Sequence, residues 1–483
     1  MNVIELFVFI AYFVFMLGIG LYFFFKSKNA GEKEYFLGGR NMGAWVSALS
    51  AGASDMSAWL LMGLPASIYA FGMGQTWIAI GLGIGYALSW IFVAPRLRRF
   101  SIAADDSITI PQYLTNRFLS KSKTLQVLCA MIFLVAYTVY AASSIKACGT
   151  LFNTVMNLDA NVAMYLAAFI IIAYTFLGGF SAVCWTDFFQ GLIMLAALLL
   201  APIFARALVG QGAGAANAQL PDGFFRFMTS PQDIISGLGW GLGYFGMPHI
   251  IIRFMSIKSE KELRKSSVIG ISWTTIILTM SALTAVAGRL YLGEIADSSM
   301  VFITMVRSIF PALVSGLLLS AILSAAMSTA DSQLLAASSA FASDVYKPLI
   351  RKNASDKEML WAGRLVVAGI AIVALMIASN PNSGTIMGLV ENAWGVFGAA
   401  FGPVILLSLF WKKMTFGGAV AGISVGAGVD VLWLVLAKST GIYEIVPGFI
   451  AGLLATWIVS ALSKEGPGKQ VEAMFDTASK SEV

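Results

Sequence analysis

The chain alternates long apolar runs with short polar connections. The first run, Leu6 to Phe25, follows a brief start ending at Glu5, and further runs lie near 44–71, 75–95, 125–152, 162–178, 185–208, 234–252, 267–291, 311–338, 361–379, 383–411, 416–437 and 444–463. Most reach the length of about 20 residues that a helix needs to cross hydrocarbon. Lipid offers the backbone no hydrogen-bond partner, so such runs fold as helices that satisfy themselves. The pattern predicts an all-α polytopic membrane protein of about 13 transmembrane helices. The first run lacks a basic lead and a small-residue cleavage site, so it is expected to be retained as a span.

In two of the runs the helical pattern weakens. The second carries Ser47-Ala48-Leu49-Ser50-Ala51-Gly52-Ala53-Ser54-Asp55-Met56-Ser57, with Pro65 further on. In the seventh, Gly237, Gly239, Gly241 and Gly243 alternate with larger residues, and Gly246 and Pro248 follow. Alternate glycines form no single helical face and weaken the helix they sit in. Interrupted spans five apart predict a 5+5 inverted repeat, with a broken helix at the same place in each half. The expected organisation is a first span and cytoplasmic loop (1–40), a first repeat of spans two to six (41–210), a second of spans seven to eleven (211–415), two peripheral helices (416–463) and a weakly ordered cytoplasmic tail (464–483). Gly418, Gly422 and Gly426, at four-residue spacing in span twelve, read instead as a packing face.

Composition agrees, with 58% of residues hydrophobic and 12% charged, too apolar for a water-soluble globule. The net charge of +6 is explained by its distribution. With the N-terminus outside, 25 of the 31 Lys and Arg fall on the cytoplasmic side, Arg253 among them; Arg206, Arg226, Arg289, Arg307 and Lys438 fall outside, and Lys146 lies within a span. That asymmetry is the positive-inside rule. It points to membrane lipids as the partner of the basic loops, and no nucleic-acid-binding module is visible. Three cysteines and one histidine are too few and too scattered for a disulfide framework or a zinc site.

A charge at the bilayer centre costs at least about 2.5 kcal/mol, which makes every intramembrane ionisable residue a functional candidate. Asp55 is foremost. It either only caps the second half of the broken span, or combines that role with making the local field favourable to a cation. Asp187, after Trp185-Thr186, reads as lying at the start of span six, where the helix dipole favours a carboxylate. Lys146 either snorkels or pairs with a carboxylate. His249 reads as a structural hydrogen-bonding residue, and Glu391 and Asp430 have no evident partner. In span nine, Ser324, Ser328 and Thr329 either bond back to their own helix or face outward. Hard cations take oxygen ligands. Carbonyls freed by the break in span two, together with these hydroxyls, make a sodium site. Trp59, Tyr140, Trp240 and Tyr244, on or near the broken helices, could enclose an apolar ring.

Those segments resemble the sodium/solute symporter family and, within it, the bacterial sodium/proline symporters. The resemblance runs from Tyr35-Phe36-Leu37-Gly38-Gly39-Arg40 through Ser47–Pro65, Trp185-Thr186-Asp187, Gly239–His249 and Ala325–Thr329 to Gly398–Pro403. It implies a leucine-transporter-like core, an outside N-terminus, a cytoplasmic C-terminus and entry of sodium with L-proline across the bacterial cytoplasmic (inner) membrane, with no cofactor beyond sodium as coupling ion. It assigns sodium to the carbonyls of Ala53, Met56 and Ala325 and the hydroxyls of Ser328 and Thr329. Asp55 and Asp187 match carboxylates serving sodium affinity and the inward sodium path. Proline would contact Ser57, Trp59, Tyr140, Trp240, Tyr244 and Pro248. The chain departs from the family's usual glutamine at Met247 and carries an unusual Glu391-Asn392 pair.

Alternative readings are a sodium-coupled symporter of another small solute (a sugar, pantothenate or another organic acid), a transporter-like sensor, or an intramembrane enzyme. A sugar site would need several side-chain amides and carboxylates, which the proposed pocket lacks. A prenyl-transferring enzyme would want clustered aspartates for magnesium, whereas Asp55 and Asp187 stand apart. A sensor would be expected to carry an appended domain, and the polar tail is too short for one.

Overall fold

Each apolar run folds into helix, and the exceptions are informative. A computed structural model describes residues 2–26, 32–177, 179–210, 220–464 and 466–480. In chain order the helices are α1 (Val3–Lys26), α2 (Glu32–Leu37), α3 (Ala44–Asp55), α4 (Gly63–Phe71), α5 (Thr76–Leu88), α6 (Ala94–Ala103), α7 (Ile110–Arg117), α8 (Thr124–Met156), α9 (Ala160–Leu177) and α10 (Phe180–Ala207). They continue with α11 (Pro231–Gly239), α12 (Pro248–Ser256), α13 (Glu260–Leu292), α14 (Val301–Ile309), α15 (Ala312–Ser339), α16 (Asp356–Ser379), α17 (Ile386–Phe410), α18 (Phe416–Leu436), α19 (Ile445–Leu462) and α20 (Lys469–Ser479). Among the described residues there is no strand, only a parallel bridge between Met42 and Ile257. Among the described residues, ten helical stretches are long and apolar enough to cross a membrane unaided. The remaining expected spans are α9 and the two interrupted ones, α3 with α4 and α11 with α12.

Both breaks fall where the sequence weakens. At the end of α3, Met56 (ψ 75°) and Ser57 (ψ −171°) leave the helical region, a short turn covers Ala58–Leu60, and α4 restarts at Gly63. Pro65 sits in the first turn of α4, where its missing N–H is not needed. In span seven, α11 passes into a tight helical turn over Trp240–Phe245, Met247 is extended, and Pro248 opens α12. The alternating glycines serve separate neighbours. A Cβ on Gly241 would lie 2.3 Å from the Gly81 carbonyl oxygen, and one on Gly243 would lie 2.1 Å from the Trp394 indole nitrogen. Glycine lets the backbones of spans three and seven cross at contact distance.

The helices differ in how deeply they are buried. In α15 and α17, 78% of the apolar window is buried, against 22% in α1 and 28% in α16 and α18, so the former are central and the latter face lipid. The Gly418, Gly422 and Gly426 face packs as expected, its glycines against Ser460, Thr456 and Ala399.

The tail differs from expectation. Residues 469–479 form α20, with Val471, Phe475 and Ala478 buried on one face. Phe475 packs edge-on to Phe100, the Ser479 hydroxyl accepts from Arg96 at 3.0 Å, and Lys412 pairs with Asp476 at 2.7 Å. The spacing i, i+4, i+7 was present in the sequence, but three apolar residues within a charged segment gave too weak a signal.

Candidate sodium and solute site

The two breaks face one another at the centre of the bundle. The Ser57 amide, which a continued helix would return to Ala53, donates to Asp55 O at 2.9 Å, and the Leu60 amide donates to Ser57 O rather than Met56 O. The carbonyls of Ala53 and Met56 thereby lose their usual helical donors. Across from them on α15, the Ser328 hydroxyl donates to Ala53 O at 2.8 Å and approaches Ala325 O at 3.3 Å. Thr329, beside it and fully buried, has no hydrogen-bond partner for its hydroxyl among the described residues. Ser328 therefore touches both Ala53 and Ala325, with Thr329 next to it in the chain and Met56 three residues after Ala53.

Asp55 is fully buried at the end of α3 and caps nothing. One carboxylate oxygen accepts from the Tyr244 hydroxyl of the second break and the other has no partner among the described residues. The Trp59 indole donates to the Asp55 carbonyl at 3.3 Å. The Tyr140 hydroxyl lies alongside Ser57 and Trp59 without a hydrogen bond of good geometry. Tyr244 stacks edge-on against Tyr86 and Trp394 with ring centroids 5.1 Å away in each case. Pro248 is buried at the head of α12. Trp240 stands apart from this group, stacked on Tyr443 at 5.0 Å, with its carbonyl accepting from Trp394 at 2.8 Å.

His249 joins the breaks. Its Nε2 is 3.2 Å from Ser54 O, its Nδ1 3.2 Å from the Tyr137 hydroxyl, and its amide donates to that same hydroxyl at 3.0 Å. Tyr137 of α8 thus holds α12 against α3, and sequence reasoning did not single it out.

Asp187 requires a correction. It does not cap span six: α10 begins at Phe180, two turns earlier, and Asp187 is fully buried. Its Oδ2 accepts from Ser50 at 2.6 Å and from Arg253 at 3.0 Å, with Ser332 at 3.5 Å. Arg253, assigned from sequence to a cytoplasmic loop, is 1% exposed within α12. It also donates to Ser50 at 3.0 Å, to Ser332 and to the His249 carbonyl. Two buried charges tolerate each other here because nearly every remaining donor is satisfied. The signal was a lone arginine between Ile250-Ile251-Ile252 and Phe254-Met255. Ser332 is one turn beyond Ser328, so this ion pair lies a turn from the Ala53 cluster.

Lys146 reaches outward to the Gly384 carbonyl and Ser383 hydroxyl, the snorkelling alternative. Asp430 is fully buried and neither of its oxygens has a partner.

A membrane protein with paired broken helices and a central oxygen cluster belongs to the class of inverted-repeat secondary transporters. The profile of the sodium:solute symporter family matches residues 35–426, and the chain belongs to that family. It is 45% identical over 470 residues to the high-affinity proline transporter PutP of Bacillus subtilis, covering 95% of this chain and 98% of that protein. To the sodium/proline symporter of Staphylococcus aureus it is 44% identical over 479 residues, with 95% and 93% covered. Among solved structures, a Na+-coupled sialic acid symporter aligns with a TM-score of 0.80 at 22% identity, covering 96% of this chain and 98% of that one. Mhp1, a nucleobase-cation-symport-1 family transporter, aligns at 0.57 and 15% identity, with 93% and 99% covered. The fold is the leucine-transporter-like one, as expected.

Proposed function

We propose that the protein is a secondary active symporter that couples inward sodium flow to L-proline uptake across the bacterial cytoplasmic membrane. The observation that carries the reading is the Ser328 hydroxyl meeting the freed Ala53 carbonyl between spans nine and two. Two oxygens at that separation, with Ala325 O beside them, form a neutral oxygen cluster suited to a weakly held monovalent ion. The proline transporters named among the relatives support the solute.

Sodium held by Ala53, Met56, Ala325, Ser328 and Thr329 would replace the Ser328 hydrogen bond and fix the break in span two against span nine. That ordering shapes the neighbouring space for proline. Its carboxylate would meet amides at the broken helix, and its ring would meet Trp59, Tyr140 and Tyr244, with Ser57 and Pro248 completing the enclosure and Trp240 acting on it through Trp394. Asp55 makes the local field favourable to the cation, and Asp187 lies on the cytoplasmic side of the path. Each ligand raises the affinity of the other by the same factor. At 100 mV the membrane potential adds about 2.3 kcal/mol per sodium carried inward. The N-terminus lies outside and the C-terminus in the cytoplasm.

The test is proline uptake against external sodium. Ser328→Ala is expected to raise the half-activating sodium concentration roughly tenfold, about 1.4 kcal/mol for one lost polar ligand, with folded protein retained. Thr329→Ala should act in the same direction. A wild-type sodium response in both variants would refute the site.

A further inference from the structure

On the lipid-facing side, α1 and α10 do not close on one another. Val14, Gly18, Tyr22 and Lys26 recur every four residues along α1, and with Trp185 and Phe189 of α10 they line a groove of about 570 Å³. From Val14 to Lys26 is about 18 Å along a helix, close to one leaflet of a hydrocarbon core about 30 Å thick. The walls are held apart by packed rings, Phe15 on Phe189 at 5.2 Å and Phe189 on Trp185 at 6.4 Å. Between them Gly18 faces open space, a Cβ there meeting nothing within 4 Å. Val14 and Tyr22 are 64% and 60% exposed, and Trp185 is 38% exposed.

The groove ends in a charge. Lys26 closes α1, and its ammonium lies 5.7 Å from the ring centroids of both Tyr22 and Phe23. Among the described residues no carboxylate lies within ion-pair distance of it. An apolar channel one leaflet long, open along its side and terminated by a cation at the interface, complements a single molecule: an acyl chain joined to an anionic headgroup. We propose that this groove binds an anionic phospholipid of the cytoplasmic leaflet, with its phosphate on Lys26 and one chain lying over Gly18. The lipid would brace α1 against α10, whose opposite face carries Asp187.

Trp185 supplies the probe. The full-length protein is reconstituted with phospholipids brominated on the acyl chain, carrying either phosphatidylglycerol or phosphatidylcholine headgroups, and the Trp185 emission is taken as the difference from Trp185→Phe. Quenching is expected at about fivefold lower mole fraction of the phosphatidylglycerol, the weight of one lysine at an anionic surface. Lys26→Gln should bring the two headgroups level. Gly18→Leu should relieve quenching by both, because its Cβ enters open space and the rest of the side chain occupies the groove, while helix propensity improves. Equal quenching by both lipids in the wild type, or a headgroup preference that survives in Lys26→Gln, would overturn the proposal. So would a disulfide-linked homodimer formed through Gly18→Cys, which would mean that a second copy covers this face.

Discussion

Arg253 and Asp187 show what a single residue can hide. Asp55 was legible because a carboxylate between Ser54 and Met56 is far from any loop, whereas Arg253 stands near a basic segment and was counted with it. Its burial is set by tertiary contacts with Ser50, Asp187 and Ser332 on three other helices, which no local pattern encodes. Removing one partner of a buried ion pair leaves an uncompensated charge, at a cost of about 3–5 kcal/mol. Arg253→Gln and Asp187→Asn are each expected to lower the thermal stability of the detergent-solubilised protein strongly. The double variant should recover much of the loss. Additive losses in the double variant would mean that the two side chains act separately.

At the scale of elements, the breaks were readable and their purpose was only partly so. Glycine at alternate positions signalled an unwound span seven, but its crossing partners Gly81 and Gly85 lie about 150 residues away in chain and emerge only with packing. A Cβ on Gly85 would sit 2.1 Å from the Gly241 carbonyl oxygen, while one on Gly83 meets only Leu278, at 3.9 Å. Gly85→Ala is therefore expected to cost about 1–3 kcal/mol as overpacking, and Gly83→Ala to be neutral or mildly stabilising. Thermal melts of the two variants separate these outcomes, and equal melting points would remove the crossing argument. Between the loop after α1 and the end of α6, Arg40 donates to Asp106 at 2.8 Å and to the Ser107 carbonyl at 2.8 Å, and Lys33 pairs with the same carboxylate. Burial raises the Asp106 carboxyl, but Lys33 and Arg40 outweigh it and hold the group below its ordinary value. A depressed carboxyl stabilises above its unfolded value of about 3.9 and loses that contribution as pH falls through the folded value. Hydrogen exchange over residues 101–107 should therefore be unchanged by this clasp between pH 8 and about pH 5 and should accelerate only below about pH 4. Acceleration already at pH 6 would contradict the assignment.

For the whole molecule, hydropathy was enough to reveal a polytopic helical protein, and the spacing of its two weak spans revealed the repeat. The expected count of about 13 spans agrees with ten uninterrupted helices together with α9 and the two broken spans. Less legible was the depth of each helix: α1 is the more apolar in sequence, yet α15 is central and α1 lipid-facing, because burial depends on which helices surround each. The candidate site was legible as chemistry, small residues and hydroxyls around a carboxylate, and His249 as a structural hydrogen-bonding residue, while Tyr137 and Arg253, which with it hold the broken helices in place, became visible only in three dimensions.

The central claim is coupling, and purified protein in proteoliposomes tests it without other transporters. Radiolabelled L-proline is presented with an inward sodium gradient and, separately, with a potassium gradient of the same size. The account predicts transient accumulation of proline above its external concentration with sodium alone, enhanced by an inside-negative potential and lost when the gradient is collapsed. Equal proline entry under both cations, or sodium-driven accumulation of another solute with none of proline, would contradict it.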